Sequence, residues 1–137
     1  MNKTILITAS LLGVLSVIFG AFGAHALKEL IPFESQQTFE TGVRYQMYHA
    51  LLLLFVASSS VIKPKTKKII YYLVLVGVVL FSGSIYGLAA NELSSFNFKT
   101  IGFITPIGGL SLILAWIFMF VDVLKISSKN ISNKRVL

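Results

Sequence analysis

The sequence predicts an all-α fold, a four-helix transmembrane bundle with both termini in the cytoplasm. Hydrophobic residues make up 55% of the 137 and charged residues only 12%, and the mean hydropathy is +0.84, well above that of a water-soluble domain. The apolar residues are gathered into four long blocks and not into short amphipathic stripes. The basic residues lie between the blocks and at the chain ends, so the net charge of +7 reads as a membrane-topology signal and excludes a nucleic-acid partner from the leading readings. No cysteine is present, which removes disulfides, thiolate metal sites and thiol nucleophiles.

The first, third and fourth blocks are each long enough to cross a hydrocarbon core of about 30 Å at about 1.5 Å per residue, and the second becomes so with the polar stretch before it. The first covers residues 4–26, where Ala9, Gly13, Ser16, Gly20, Gly23 and Ala24 align on one side, a strip that admits a close helix neighbour. Its end, Ala24-His25-Ala26, imitates a signal-peptide cleavage site. The apolar core exceeds the roughly 7–15 residues of a signal peptide, so the helix is expected to be retained.

A connector with Pro32 follows, and Ser35 is the expected N-cap of a second span over residues 39–62. Lys63-Pro64-Lys65-Thr66-Lys67-Lys68 is a basic turn leading to a third span, 69–90, with Gly83 and Gly87 on one side. The fourth span, 101–124, carries Thr105-Pro106-Ile107-Gly108-Gly109, which predicts a kink or broken first turn, with Gly108 on its packing side. Asp122 is expected to pair with Lys125 or with the basic turn. Residues 1–124 thus form the membrane domain, and 125–137 a loosely ordered basic cytoplasmic tail. Nine Lys and Arg residues fall on the side of the termini and two, Lys28 and Lys99, on the other, which sets the predicted orientation.

The second span carries the candidate site. Leu51 onward is too short an apolar run to cross alone, so the polar stretch Phe39-Glu40-Thr41-Gly42-Val43-Arg44-Tyr45-Gln46-Met47-Tyr48-His49-Ala50 must complete it. Ionisable groups at membrane depth are costly and mark site hypotheses. Glu40, Arg44 and Tyr48 follow at spacing four beside a parallel row of Tyr45 and His49, while Val43, Met47, Ala50 and Leu54 fall opposite, toward lipid. Glu40 stands four residues before Arg44, the favourable order for an ion pair. With His25 and Tyr86 from neighbouring spans these residues define an outer-leaflet polar cluster whose deepest strongly polar member is His49. The histidine and glutamate spacing matches no local metal motif, and no nucleophile is placed beside His49, so neither metal, cofactor nor catalytic residue is assigned.

Four segments carry a family resemblance: Gly20-Ala21-Phe22-Gly23-Ala24-His25-Ala26-Leu27, Tyr45-Gln46-Met47-Tyr48-His49-Ala50-Leu51, Phe81-Ser82-Gly83-Ser84-Ile85-Tyr86 and Ile104-Thr105-Pro106-Ile107-Gly108-Gly109. In this order they resemble a family of small multi-pass membrane proteins catalogued as domain of unknown function 423. The resemblance implies an uncleaved first helix and a bacterial cytoplasmic-membrane location, and brings no agreed activity. Ala115 stands where the family pattern has glycine.

The leading functional reading is a non-enzymatic membrane protein that binds or scaffolds through the polar cluster, with the lipid bilayer, a second copy or another membrane protein as partner. A small-solute or ion conductor comes second, because a polar path is traced only as far as His49. An intramembrane enzyme comes third.

Overall fold

Apolar runs this long can satisfy their backbone groups in lipid only within themselves, as helices. The computed structural model has four: α1 (Asn2–Ala24), α2 (Phe33–Ser58), α3 (Pro64–Ala89) and α4 (Ile104–Arg135). It describes residues 1–135, with side chains as far as Ile126, so the tail side chains of Lys129, Lys134 and Arg135 lie outside the described set. Short 3-10 turns at Leu27–Glu29, Asn91–Leu93 and Phe98–Ile101 complete the two connectors at the end opposite the termini of the bundle.

The helices run alternately up and down. Gly23 near the end of α1 faces Phe39 near the start of α2, and Lys67 in the first turn of α3 reaches the Ala57 carbonyl in the last turn of α2. Consecutive helices pack against one another. Side chains also join α1 to α3, where Thr8 Oγ1 lies 3.1 Å from the Tyr71 hydroxyl, and α2 to α4, where Trp116 Nε1 donates to His49 Nε2 at 3.2 Å. The main core is sealed by Ile5, Leu53, Val56, Ile70, Val74 and Ala115. A smaller cluster of Leu27, Ile31, Phe39 and Ala89 closes the connector end.

Several expectations need correction. Among the described residues three segments, Asn2–Glu29, Pro64–Ala89 and Ile104–Ile126, are long and apolar enough to cross a membrane, and α2 is not. Its 26 residues supply the length, but Glu34, Gln36, Gln37, Glu40 and Arg44 lower its hydropathy. The helix also spans Phe33–Ser58 and not residues 39–62. Pro32, at φ −59° and ψ 157°, sets the N-cap geometry directly, which leaves Ser35 inside the first turn. At the other end Ser59 turns extended, and Ile62 is buried in the loop before Pro64 opens α3.

The first turn of the expected 101–124 span is broken: a 3-10 turn ends at Ile101, residues 102–103 form a turn, and α4 starts at Ile104 with Pro106 in its own first turn, where a missing amide leaves no bond unmade. The residues after Gly109 contain neither glycine nor proline. The helix accordingly continues to Arg135, replacing the loose tail expected from residue 125.

The glycine strips are also redistributed. A Cβ at Gly108 would lie 2.8 Å from the Leu80 carbonyl carbon, so α4 crosses the backbone of α3 there, and nearby Gly77 admits the Leu112 side chain. Gly23 admits the Phe39 ring, and Gly87 admits Phe98 from the connector and not a neighbouring helix. Gly20 makes an ordinary contact with Val43, while Gly13 and Gly83 have no neighbour within 4 Å. The aligned strip on α1 therefore meets α2 only along part of its length. Gly108→Val should force α3 and α4 apart and cost about 1–3 kcal/mol, seen as a lower unfolding midpoint in detergent by circular dichroism. Gly83→Ala should leave the midpoint unchanged or slightly raised.

Candidate functional site

α2 buries a stripe of Phe39, Gly42, Gln46, His49, Leu53 and Val56, a helical repeat of three and four residues. This stripe is rotated from the face expected to point inward. Glu40, Arg44, Tyr45 and Tyr48 are exposed, and Ala50, expected toward lipid, is 1% exposed. Val43, Met47 and Leu54 are half-buried, and Val43 rests beside Gly20 of α1. Helix periodicity alone cannot choose between two stripes that both carry polar groups. The charged pair settles on the outside because an ion needs solvent or headgroups more than an amide does.

Gln46 occupies the position expected of the charged cluster. It is 3% exposed, and its Nε2 donates to the Leu12 carbonyl at 2.9 Å while its Oε1 accepts from the Tyr86 hydroxyl at 2.7 Å. Leu12, midway along α1, also accepts from the Ser16 hydroxyl at 2.8 Å. One amide thus ties α1, α2 and α3 together at mid-height. One turn away Ser82 Oγ donates to the Gly42 carbonyl at 2.8 Å, and Tyr86 packs against Phe19 and Phe39 with ring centroids 5.3 and 5.0 Å away.

His49 is buried beside this junction and faces α4. Its Nε2 accepts from Trp116, which leaves Nδ1 to carry the proton toward the Tyr45 carbonyl at 2.6 Å. Both ring nitrogens are used in a neutral tautomer. Tyr45 lies nearly parallel to the imidazole at 6.3 Å and tilted against Phe81 at 5.0 Å, and these residues border a cleft of about 290 Å³ with Gly109 and Trp116. Tyr48 lies outside it, edge-on to Tyr45 at 5.8 Å.

The remaining candidates separate from this core. Arg44 and Glu40 approach to 3.6 Å, with side chains 58% and 64% exposed. They form a pair near the level of Gly23, the connector end of α1, and not in the bundle interior. His25 is exposed and caps the end of α1 through its backbone, away from Gln46 and His49. The structure therefore brings Tyr45, His49 and Tyr86 into the α2-centred packing and leaves His25, Glu40, Arg44 and Tyr48 around it. Among the described residues no three His, Asp or Glu side chains converge as a metal site would require.

Gln46 and Trp116 were not singled out from the sequence. The signal for Gln46 was the run Gly42, Gln46, His49, Leu53, which has the spacing of a buried stripe.

At the opposite end, Asp122 pairs with the basic turn: its Oδ2 accepts from the Lys63 amide at 2.9 Å and Oδ1 lies 3.7 Å from Lys63 Nζ. Lys67 is buried and donates to the Ala57 carbonyl at 3.1 Å and to Asn2 Oδ1 at 3.4 Å. Its cation thereby satisfies a carbonyl that the end of α2 leaves open.

A double-mutant cycle tests the Gln46 junction. Gln46→Leu and Tyr86→Phe should each destabilise the protein in detergent, with a coupling of about 1 kcal/mol. Glu40→Ala should shift stability by less than that, since exposed pairs contribute little. Additive effects of the two core changes would show that the bond is not a stabilising link.

The four-helix packing can now be set beside known proteins. The family described as "Protein of unknown function (DUF423)" matches residues 19–109. The chain is 38% identical over 125 residues to the UPF0382 membrane protein YwdK of Bacillus subtilis, covering 90% of this chain and 98% of that protein. It is 33% identical over 137 residues to the UPF0382 inner membrane protein YgdD of Escherichia coli K12, covering 97% and 98%. A third relative, the membrane protein SH2409 of Staphylococcus haemolyticus, is 36% identical over 123 residues, covering 90% and 97%. No solved structure matches. The family match includes Gln46, His49, Tyr86 and Gly108, the residues on which the helix junctions are built. With this coverage and three apolar crossing segments, the chain belongs to the DUF423 (UPF0382) family of small multi-pass bacterial membrane proteins of unknown function.

Proposed function

We propose that the protein is a non-enzymatic scaffold or binding protein of the cell membrane, in which α2 forms a fourth crossing and both termini face the cytoplasm. The observation that carries the scaffold reading is that polar groups at depth are spent on joining helices. Gln46, His49 and Ser82 each hold a partner on another helix, and among the described residues no buried side-chain nitrogen or oxygen lacks a bond. In lipid such bonds specify which helices meet and at what register.

For the fourth crossing, the support is that α2 runs beside α1 and α3 between Phe39, at Gly23, and Ala57, at Lys67. These 18 steps give about 27 Å of helix, close to the hydrocarbon thickness. Glu40 and Arg44 then sit near one headgroup level, where they can reach water. Lys3, Lys63, Lys65, Lys67, Lys68 and Lys125 gather at the other end, which supports its cytoplasmic placement.

The conductor reading rests on a ladder of polar contacts between α1 and α3: Asn2 with Lys67, Thr8 with Tyr71, and the Leu12 carbonyl linked through Gln46 to Tyr86. Against continuity, Val74 and Val78 are buried between Tyr71 and Ser82, eleven residues or about 16 Å apart along α3.

Two measurements test these readings. The cysteine-free chain permits single probes on either side of α2: Glu34→Cys should react with an impermeant maleimide in intact cells and Ser60→Cys only after lysis. The opposite pattern refutes the orientation, and the same response at both positions refutes the fourth crossing. In proteoliposomes the scaffold predicts no ion or solute flux above empty vesicles. Flux abolished by Gln46→Leu or His49→Ala would establish the conductor instead.

A further inference from the structure

We infer that the end of the bundle carrying the basic turn holds a binding site for the phosphate headgroup of an anionic phospholipid. The reading is independent of the scaffold proposal, since it concerns the opposite end of the bundle from Glu40 and Arg44 and needs neither orientation. A cleft of about 320 Å³ opens between the start of α3 and the last described turns of α4, bordered by Lys63, Lys65, Thr66 and Lys125 above Ile69, Phe118 and Val121. The order of these residues is amphiphilic. Phe118 and Val121 are 41% and 39% exposed on the flank of the helix, where acyl chains would lie, and Lys63, Lys65 and Lys125 border the cleft on the side of the basic turn, where the Thr66 hydroxyl bonds Asp122.

The cleft also contains one anion, and its state decides the sign of the site. Asp122 is 5% exposed and is held by the Lys63 amide and ammonium, so its charge is directed into the turn that shapes the cleft. Three lysines against one carboxylate leave an excess of two positive charges on the rim. Lys65, which is exposed, and Lys125 reach the opening from two different helices. A free phosphate would use only this rim, whereas a phospholipid would use the rim and the apolar wall together. That continuity between wall and rim favours the lipid. Basic pockets between helices at a membrane face commonly select such headgroups over zwitterionic ones.

The test is native mass spectrometry of the full chain released from mixed micelles containing equal phosphatidylglycerol and phosphatidylcholine. The wild-type protein is expected to retain phosphatidylglycerol preferentially. Lys65→Gln with Lys125→Gln should lower that preference roughly thirtyfold, at about one kcal/mol per lysine near a membrane surface. Lys28→Gln with Lys99→Gln removes the same charge from the opposite end and should leave it unchanged, and Lys65→Arg with Lys125→Arg should retain it. Equal loss in the two Gln pairs, or no loss in the first, overturns the site. Millimolar inorganic phosphate should not displace the lipid; displacement with the same lysine dependence would make the occupant a free anion and overturn the lipid assignment.

Discussion

The bond network around Gln46 is the constraint on which the packing of the first three helices turns. A primary amide buried between helices needs hydrogen-bond partners for its N–H and carbonyl groups, and apolar side chains offer none. Gln46 places an N–H on the Leu12 carbonyl on one side and its oxygen on the Tyr86 hydroxyl on the other. Such a residue fixes the rotation of α2, because turning it away would strand the amide and both partners. Leu–Ile–Val packing alone is far more tolerant of rotation, since one apolar contact replaces another at little cost in lipid.

Once α2 is oriented, the neighbouring contacts become consequences. Gly42, one turn earlier, presents its bare backbone to Tyr86 and its carbonyl to Ser82. His49, almost one turn later, faces α4 and receives the Trp116 indole proton. The α3–α4 pair is secured differently, by backbone approach at Gly108 and by hydroxyl bonds: Ser84 with Thr105 at 2.6 Å and Ser111 to the Leu73 carbonyl at 2.8 Å. Close glycine approach shortens the distance between helix axes and lets such short side chains span it.

The two ends of the bundle manage charge in different ways. At the connector end Glu40 and Arg44 neutralise each other on an exposed surface, an arrangement that suits headgroups and contributes little to stability. At the other end Asp122 and Lys67 are buried and each is matched by backbone as well as side-chain partners. Removing either partner there would leave an uncompensated charge, a far larger penalty than losing an exposed pair. The basic turn is therefore tied into the bundle through Asp122 and Lys67, and it carries its remaining lysines on a defined framework.

The sequence by itself determined the membrane environment, the all-α class, four helices and the existence of a polar segment in α2, because hydropathy and block length are local properties that survive any tertiary arrangement. It also indicated Gly108 as a packing residue and the basic turn as a partner of Asp122. What tertiary structure decided was which side of α2 is inside. Glu40-Arg44-Tyr48 and Gly42-Gln46-His49 are both regular helical stripes, and only the positions of Leu12, Tyr86 and Trp116 on other helices distinguish them. The same holds for glycine: Gly13 and Gly108 look alike as small residues in apolar helices, yet one faces open space and the other a neighbouring backbone. Facing depends on partners remote in sequence, and a single helix's periodicity contains no information about them.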